Sequence, residues 1–141
     1  MYDKVVKLKN MLKCDQFILT GSLAFKFHGL DVDCNDIDLI LINPTNETRN
    51  LLCNLSNLFP RINGCQGKYS KLEANYQFVL DGVPVDIFIE CNIKSCLQTK
   101  EGVDINPICD IIKAKMILGR IKDYKSLYEW SQKIFSNKTF K

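Results

Sequence analysis

Asp36 and Asp38 bracket a single isoleucine at the head of the apolar run Leu39-Ile40-Leu41-Ile42. On a β-strand, side chains two residues apart project to one face. The two carboxylates therefore stand side by side at the entrance of a buried strand. Carboxylates that close repel, and one takes up a proton unless a cation sits between them. A hard divalent ion with oxygen ligands resolves the conflict, and Mg²⁺ suits a site that also holds phosphates. A place for those phosphates lies upstream. Gly21-Ser22 follows the strand-like Phe17-Ile18-Leu19 and opens the helix-like Leu23 to His28, so backbone N–H groups there are free to meet an anion. Metal on one side and phosphate on the other read as nucleotide chemistry.

Asp86 adds a third acid. It interrupts the apolar strand pattern Val83-Pro84-Val85-Asp86-Ile87-Phe88-Ile89, where a carboxylate is costly unless it is paired or ligated. Pro84 leaves open an edge strand with Asp86 turned to water. If this strand instead pairs beside that of Asp36 and Asp38, three carboxylates converge. Such a trio holds two metal ions, one polarising an acceptor hydroxyl and one orienting a triphosphate for in-line displacement. Other residues carry two readings each. Lys113 or Lys115 reaches a triphosphate or pairs with acids on its own helix face. His28 is a base or a packed cap. Tyr76, Phe78 and Trp130 stack a base or fill the core, and Asp31 with Asp33 is a spare cation site or a solvated loop.

The elements that must hold these groups follow from periodicity. Val5, Leu8, Met11 and Leu12 recur at helical spacing and predict a helix over 3–13. Residues 16–19 form a strand and 22–28 a short helix ended by Gly29. The strand 36–42 has two largely apolar faces, which places it in the middle of a covered sheet. Thr45 caps a helix reaching Leu58, and 60–71 is a loop. Residues 76–80 and 83–90 make a hairpin about Asp81-Gly82. A short strand falls at 103–105. Residues 107–118 form a helix with Gly119 as C-cap, 123–135 form the last helix, and the tail after Ser136 frays.

Composition bounds the class. The 141 residues are 46% hydrophobic and 25% charged, as expected of a globular chain, and form one domain with a core at 16–90 and C-terminal helices at 107–136. The formal net charge of +3 is too small to point to nucleic acid. Residues 120–141 hold six basic side chains against two acids, a basic helix end that also complements the helix dipole. Seven scattered cysteines without a Cys-x-x-Cys, and the single His28, exclude a structural zinc site. Cys53 and Cys109 fall in apolar helical patterns, where a thiol behaves as a small hydrophobe. No apolar run nears the roughly 18 residues of a membrane span, and the N-terminus lacks a secretory apolar region. A reducing cytoplasm fits this thiol usage.

Thr20-Gly21-Ser22, thirteen residues, Asp36-Ile37-Asp38 with an apolar continuation, and the later strand acid Asp86 together resemble the DNA polymerase β-type nucleotidyltransferases. The match covers about half the chain, from Phe17 to Ile89. It implies an α/β (α+β) fold, a small mixed sheet flanked by helices with a C-terminal helix pair. It implies that Gly21 and Ser22 contact the nucleotide phosphates, that Asp36 and Asp38 bind Mg²⁺ and nucleotide, and that Asp86 completes the metal site and activates the acceptor hydroxyl. More loosely, 112–123 resembles the ending of compact bacterial nucleotidyltransferase-like proteins, including relatives of the abortive-infection and toxin–antitoxin type, where Arg120 and Asp123 fix the interhelical turn by an ion pair. The chain departs from the pattern at Asn35, where many relatives carry Ser or Thr, and in the acidic loop 30–35, which lacks the basic residue that often assists the phosphates.

These readings converge on a Mg²⁺-dependent enzyme moving a nucleoside monophosphate from an NTP to a hydroxyl of a small molecule, RNA or protein. A second copy or partner subunit would supply the wall that a chain this short lacks. The rival is a non-catalytic binding or antitoxin-like module on the same fold. A D-x-D glycosyltransferase is disfavoured by the short chain and the upstream Gly-Ser.

Overall fold

Alternation of side chains decides how the sheet is built. The computed structural model describes residues 1–61 and 73–139. In chain order these form α1 (Tyr2–Met11), β1 (Gln16–Thr20), α2 (Gly21–Phe27), β2 (Ile37–Ile42), α3 (Asn46–Leu58), β3 (Tyr76–Leu80), β4 (Val83–Glu90), β5 (Leu97–Gln98), β6 (Asp104–Ile105), α4 (Ile108–Leu118) and α5 (Ile121–Thr139). The six strands make one mixed sheet in the order β3-β4-β2-β1-β6-β5. β2 runs antiparallel to β1 and parallel to β4, while β1 runs parallel to β6. The α/β architecture is the one expected, with α4 and α5 as a C-terminal helix pair.

The two faces of the sheet differ. Phe17 and Leu19 of β1, Ile37, Leu39 and Leu41 of β2, and Val85 and Ile87 of β4 point into the main core. All five helices contribute to that core, with Val5, Leu8, Phe25, Leu52, Ile111 and Leu127 among their inward side chains. The alternate positions Ile18, Ile40 and Ile42 form a second, smaller cluster with Phe88 and Cys96. Asp38 and Asp86 share the parity of this smaller face. β2 is buried on both sides, as its pattern requires.

Local signals place the ends. Thr45 Oγ1 accepts the Thr48 N–H and caps α3. Asp81 (φ 50°) and Gly82 (φ 80°) both take the left-handed conformation that a two-residue hairpin demands. Gly119 (φ 59°) closes α4. Some features differ from expectation or lie beyond it. β5 carries no sequence pattern long enough to read. α5 starts earlier than 123 and stays helical through Thr139, past the point where fraying was expected. Cys53 and Cys109 lie on exposed helix faces rather than in the core. The loop expected at 60–71 lies outside the described residues beyond Arg61.

Thr48 knits α3 to the start of the sheet. Its hydroxyl donates to the Lys13 carbonyl and accepts the Lys13 N–H, at 2.9 and 3.0 Å. Thr48→Val keeps the shape, strands the Lys13 N–H and leaves the Lys13 carbonyl only the Thr45 N–H at 3.5 Å, so we expect a loss of about 1–3 kcal/mol, read as a lower urea midpoint with an unchanged m-value.

Candidate active site

Parallel pairing of β2 with β4 sets Asp38 opposite Asp86, and Ile40 opposite Phe88 one step on. The edge position that Pro84 left open is excluded, because β3 pairs along the outer side of β4. Asp86 is 5% exposed. Asp36 stands just ahead of β2, on the same parity as Asp38. Sequence reasoning therefore found three acids that the fold brings to one end of one face.

Like charges this close are unfavourable. Burial, then the charges of Asp86 and Asp36, push the Asp38 carboxyl up to about 7 from an ordinary 3.8. Gly21 backs onto this carboxylate from the end of β1. A Cβ there would overlap the Asp38 side chain, and Gly21 also holds φ +70°. Glycine is required twice over, for the turn and for the close approach.

The cation that meets these acids belongs to the protein. Arg61 donates from Nη2 to Asp36 Oδ2 at 2.9 Å, and its Nη1 contacts Asp86 Oδ1. Its side chain is 5% exposed. Position follows from the chain just before it. The Phe59 carbonyl accepts the Val79 N–H, and Pro60 bridges to Phe78. Phe78 and Gln77 of β3 lie opposite Val85 and Asp86 of β4, so the next residue after Pro60 arrives beside Asp86. Asp86 Oδ1 and Arg61 Nη1 are in ionic contact, and Arg61 Nε finds no acceptor among the described residues. The sequence carried one hint, a lone arginine after the apolar Leu58-Phe59-Pro60. Read as the start of a loop, it went unnoticed, and a basic residue was sought in 30–35 instead.

Two cavities meet at these acids. Both are lined by Thr20, Gly21, Asp36, Asp38, Arg120 and Lys122. One, of about 500 Å³, continues over the smaller sheet face along Ile40, Asp86 and Phe88 to Ile117, Lys113 and Lys94. The other, of about 450 Å³, runs past Ser22 to Lys115, Lys125 and Ser126. Asp86 lines only the first and Ser22 only the second.

Of the two candidate lysines, Lys115 turns inward and Lys113 does not. Lys115 Nζ reaches Ser22 Oγ at 3.4 Å and Asp123 at 3.8 Å, and lies 5.3 Å from the centre of the Phe25 ring. Burial lowers its pKa, opposed by Asp123 and Asp38. Asp123 is fully buried and accepts from the Arg120 backbone and guanidinium, so this ion pair fixes the α4–α5 turn as expected. His28 caps α2, and its Nε2 bonds the Asn106 carbonyl at 2.8 Å. Phe78 is wholly in the core, with Tyr76 and Trp130 packed against it. Asn106 was not foreseen. Its amide donates to Thr20 Oγ1 at 3.0 Å, while its buried Oδ1, at the wall of the larger cavity, has no partner among the described residues.

The donor set suits a hard divalent ion. It is all carboxylate, and the nearby positive charge does not offset three acids, as the raised Asp38 shows. Among the described residues, no trio of acidic, His or Cys side chains already stands in the arrangement of a metal cage. Arg61 occupies the ground between Asp36 and Asp86.

No family model matches this chain, and no curated protein does. The solved structure of a "putative nucleotidyltransferase (TM1012)" from Thermotoga maritima is similar to it over 94% of this chain and 91% of that one, with 17% identity and a TM-score of 0.49. A likeness this distant is one of chain path and leaves the chemistry to the residues. Among the described residues, no helix is long and apolar enough to cross a membrane.

Two outcomes follow for the metal-free protein. Gly21→Ala should cost about 1–3 kcal/mol from backbone strain alone and displace Asp38, measured by urea unfolding and by loss of ligand binding. With the folded Asp38 pKa above the unfolded one, the native state holds the extra proton between about pH 4 and 7. Stability is then highest below that window and falls as pH rises through it. Melting points across pH 4–8 should show a decline that Asp38→Asn flattens.

Proposed function

We propose that the chain is a nucleotidyltransferase that moves a nucleoside monophosphate from an NTP to an acceptor hydroxyl with Mg²⁺. The observation that carries this reading is the in-register pair Asp38–Asp86, with Gly21 pressed against Asp38 and Asp36 beside it. Three carboxylates at the junction of two cavities fit a reaction between two ligands, one in each.

The division of residues assigns those ligands. The triphosphate lies in the cavity of Gly21, Ser22 and Lys115, where Lys122 and Arg120 add positive charge. The acceptor enters the cavity that Asp86 lines, over Ile40 and Phe88. Asp36, Asp38 and Asp86 would hold Mg²⁺, which supplies neutralisation of the charge that builds on the transferring phosphoryl group. Asp86 orients the acceptor hydroxyl and takes its proton as the oxygen attacks the α-phosphorus. The bond from that phosphorus to the bridging oxygen of the β-phosphate breaks, and pyrophosphate leaves. Gly21 and Ser22 hold the phosphates in line, and Lys115 fixes Ser22. The acceptor is a small molecule, an RNA end or a protein side chain, and a second copy or partner would close the open side.

A second reading draws on one observation. Arg61 already supplies positive charge to Asp36 and Asp86, as in a non-catalytic binding or antitoxin-like module that has settled its own charge. Calorimetric titration of NTPs with and without Mg²⁺ separates the two. Metal-dependent nucleotide binding, reduced at least about tenfold in Asp36→Asn/Asp38→Asn, supports the transferase. Binding that ignores both the metal and the substitutions would reject the site.

A further inference from the structure

We propose that Arg61 is the resident counter-ion of the acid cluster, and that it competes with a divalent cation for Asp36 and Asp86. The inference rests on the transferase reading insofar as these acids are the cation's ligands. It adds the control of that site by a residue with no place in the motif.

Geometry makes the two cations mutually exclusive. Asp36 Oδ2 receives Arg61 Nη2 at 2.9 Å, and Asp86 Oδ1 is in contact with Nη1. Those are oxygens a metal would need. A guanidinium held against them repels an incoming ion and takes up ligand positions. The contact is also incomplete. Nη1 meets Asp86 Oδ1 as an ion pair, and Nε is buried with no acceptor among the described residues. A planar fork normally meets a carboxylate with two parallel bonds. Here it is spread across two different acids with one contact to each, as fits an occupant that yields its place.

Burial excludes a casual surface pair. The Arg61 side chain is 5% exposed and that of Asp86 is 7%. Burial opposes the charge on Arg61, while Asp86, Asp36 and Asp38 together hold it protonated. The Phe59 and Pro60 contacts to β3 fix where the arginine enters. Linkage then applies in both directions. Whatever factor Arg61 takes from cation affinity, the cation takes from the hold on Arg61.

The test uses Mn²⁺ as probe and the full chain. Calorimetry should give Mn²⁺ affinity rising from the parent through Arg61→Lys to Arg61→Ala. The gain in the alanine variant should reach about tenfold or more, within the ordinary range of coupling between sites. If Arg61→Ala does not fold alone, Mn²⁺ should raise its melting point more than the parent's. On the parent protein, Mn²⁺ should make Arg61 react faster with phenylglyoxal, located by peptide mass, while Arg49 stays unchanged. Equal Mn²⁺ affinity in all three proteins, lost on Asp36→Asn/Asp38→Asn, overturns the competition and leaves the acid site standing. Failure of Mn²⁺ to bind any of them overturns both. Unchanged Arg61 reactivity on saturation with Mn²⁺ overturns the displacement.

Discussion

Repulsion between carboxylates on two adjoining parallel strands is the constraint around which the site is arranged. Asp38 and Asp86 face each other because β2 and β4 pair in the register that buries Ile37, Leu39, Val85 and Ile87 together. A slip of β4 by one residue would drive Asp86 into the main core and Val85 and Ile87 out of it. Hydrophobic pattern and charge placement are therefore one decision. The core fixes the register, and the register forces the acids together. Everything nearby accommodates that result, from a glycine where no side chain fits to an arginine reaching in from the far end of α3.

Two polar centres flank the cavities and behave differently. Around Asp123 the acid is fully buried and well supplied, with the Arg120 guanidinium and backbone and the Lys115 ammonium within reach. A satisfied buried network of this kind fixes one geometry, here the angle between α4 and α5 and the pose of Ser22 beneath Lys115. Around Asp38 the balance is the reverse. Three acids have one guanidinium, in contact with Asp36 and Asp86, and the Asp38 carboxyl is driven toward protonation. The first centre has the character of a joint, and the second carries uncompensated charge.

Legibility in the sequence followed from how local each signal is. Periodicity of two gave β2 and β4 and the parity of their acids, because strand alternation depends on nothing distant. Asp81-Gly82 and Gly119 announced a hairpin and a helix end through the conformations that only such residues adopt cheaply. The two-residue strands β5 and β6 have no such length over which to alternate, and β5 is defined by its partner alone. Cys53 and Cys109 were misplaced because a helical pattern tells which residues share a face but not how wide the buried stripe is. Arg61 and Asn106 were hidden for a third reason. Each is made functional by tertiary contact, one through the bridge of Pro60 to Phe78 and the other through Thr20, and neither contact leaves a trace at short range.

The unsatisfied groups are few and lie together. Of the buried side-chain polar atoms left unpaired among the described residues, those of Arg61, Asp86 and Asn106 border the same acids or the cavity beside them, while Ser56 lies apart on α3. A fold that elsewhere pairs Gln16, Thr48 and Asp123 so fully had the means to satisfy these as well. Sequences depart from local consistency mainly where a ligand completes what the chain leaves open. On that argument the uncompensated charge at Asp38 and Asp86 agrees with the cation site proposed above. The orphaned oxygen of Asn106 is the matching requirement for a donor on whatever fills the larger cavity.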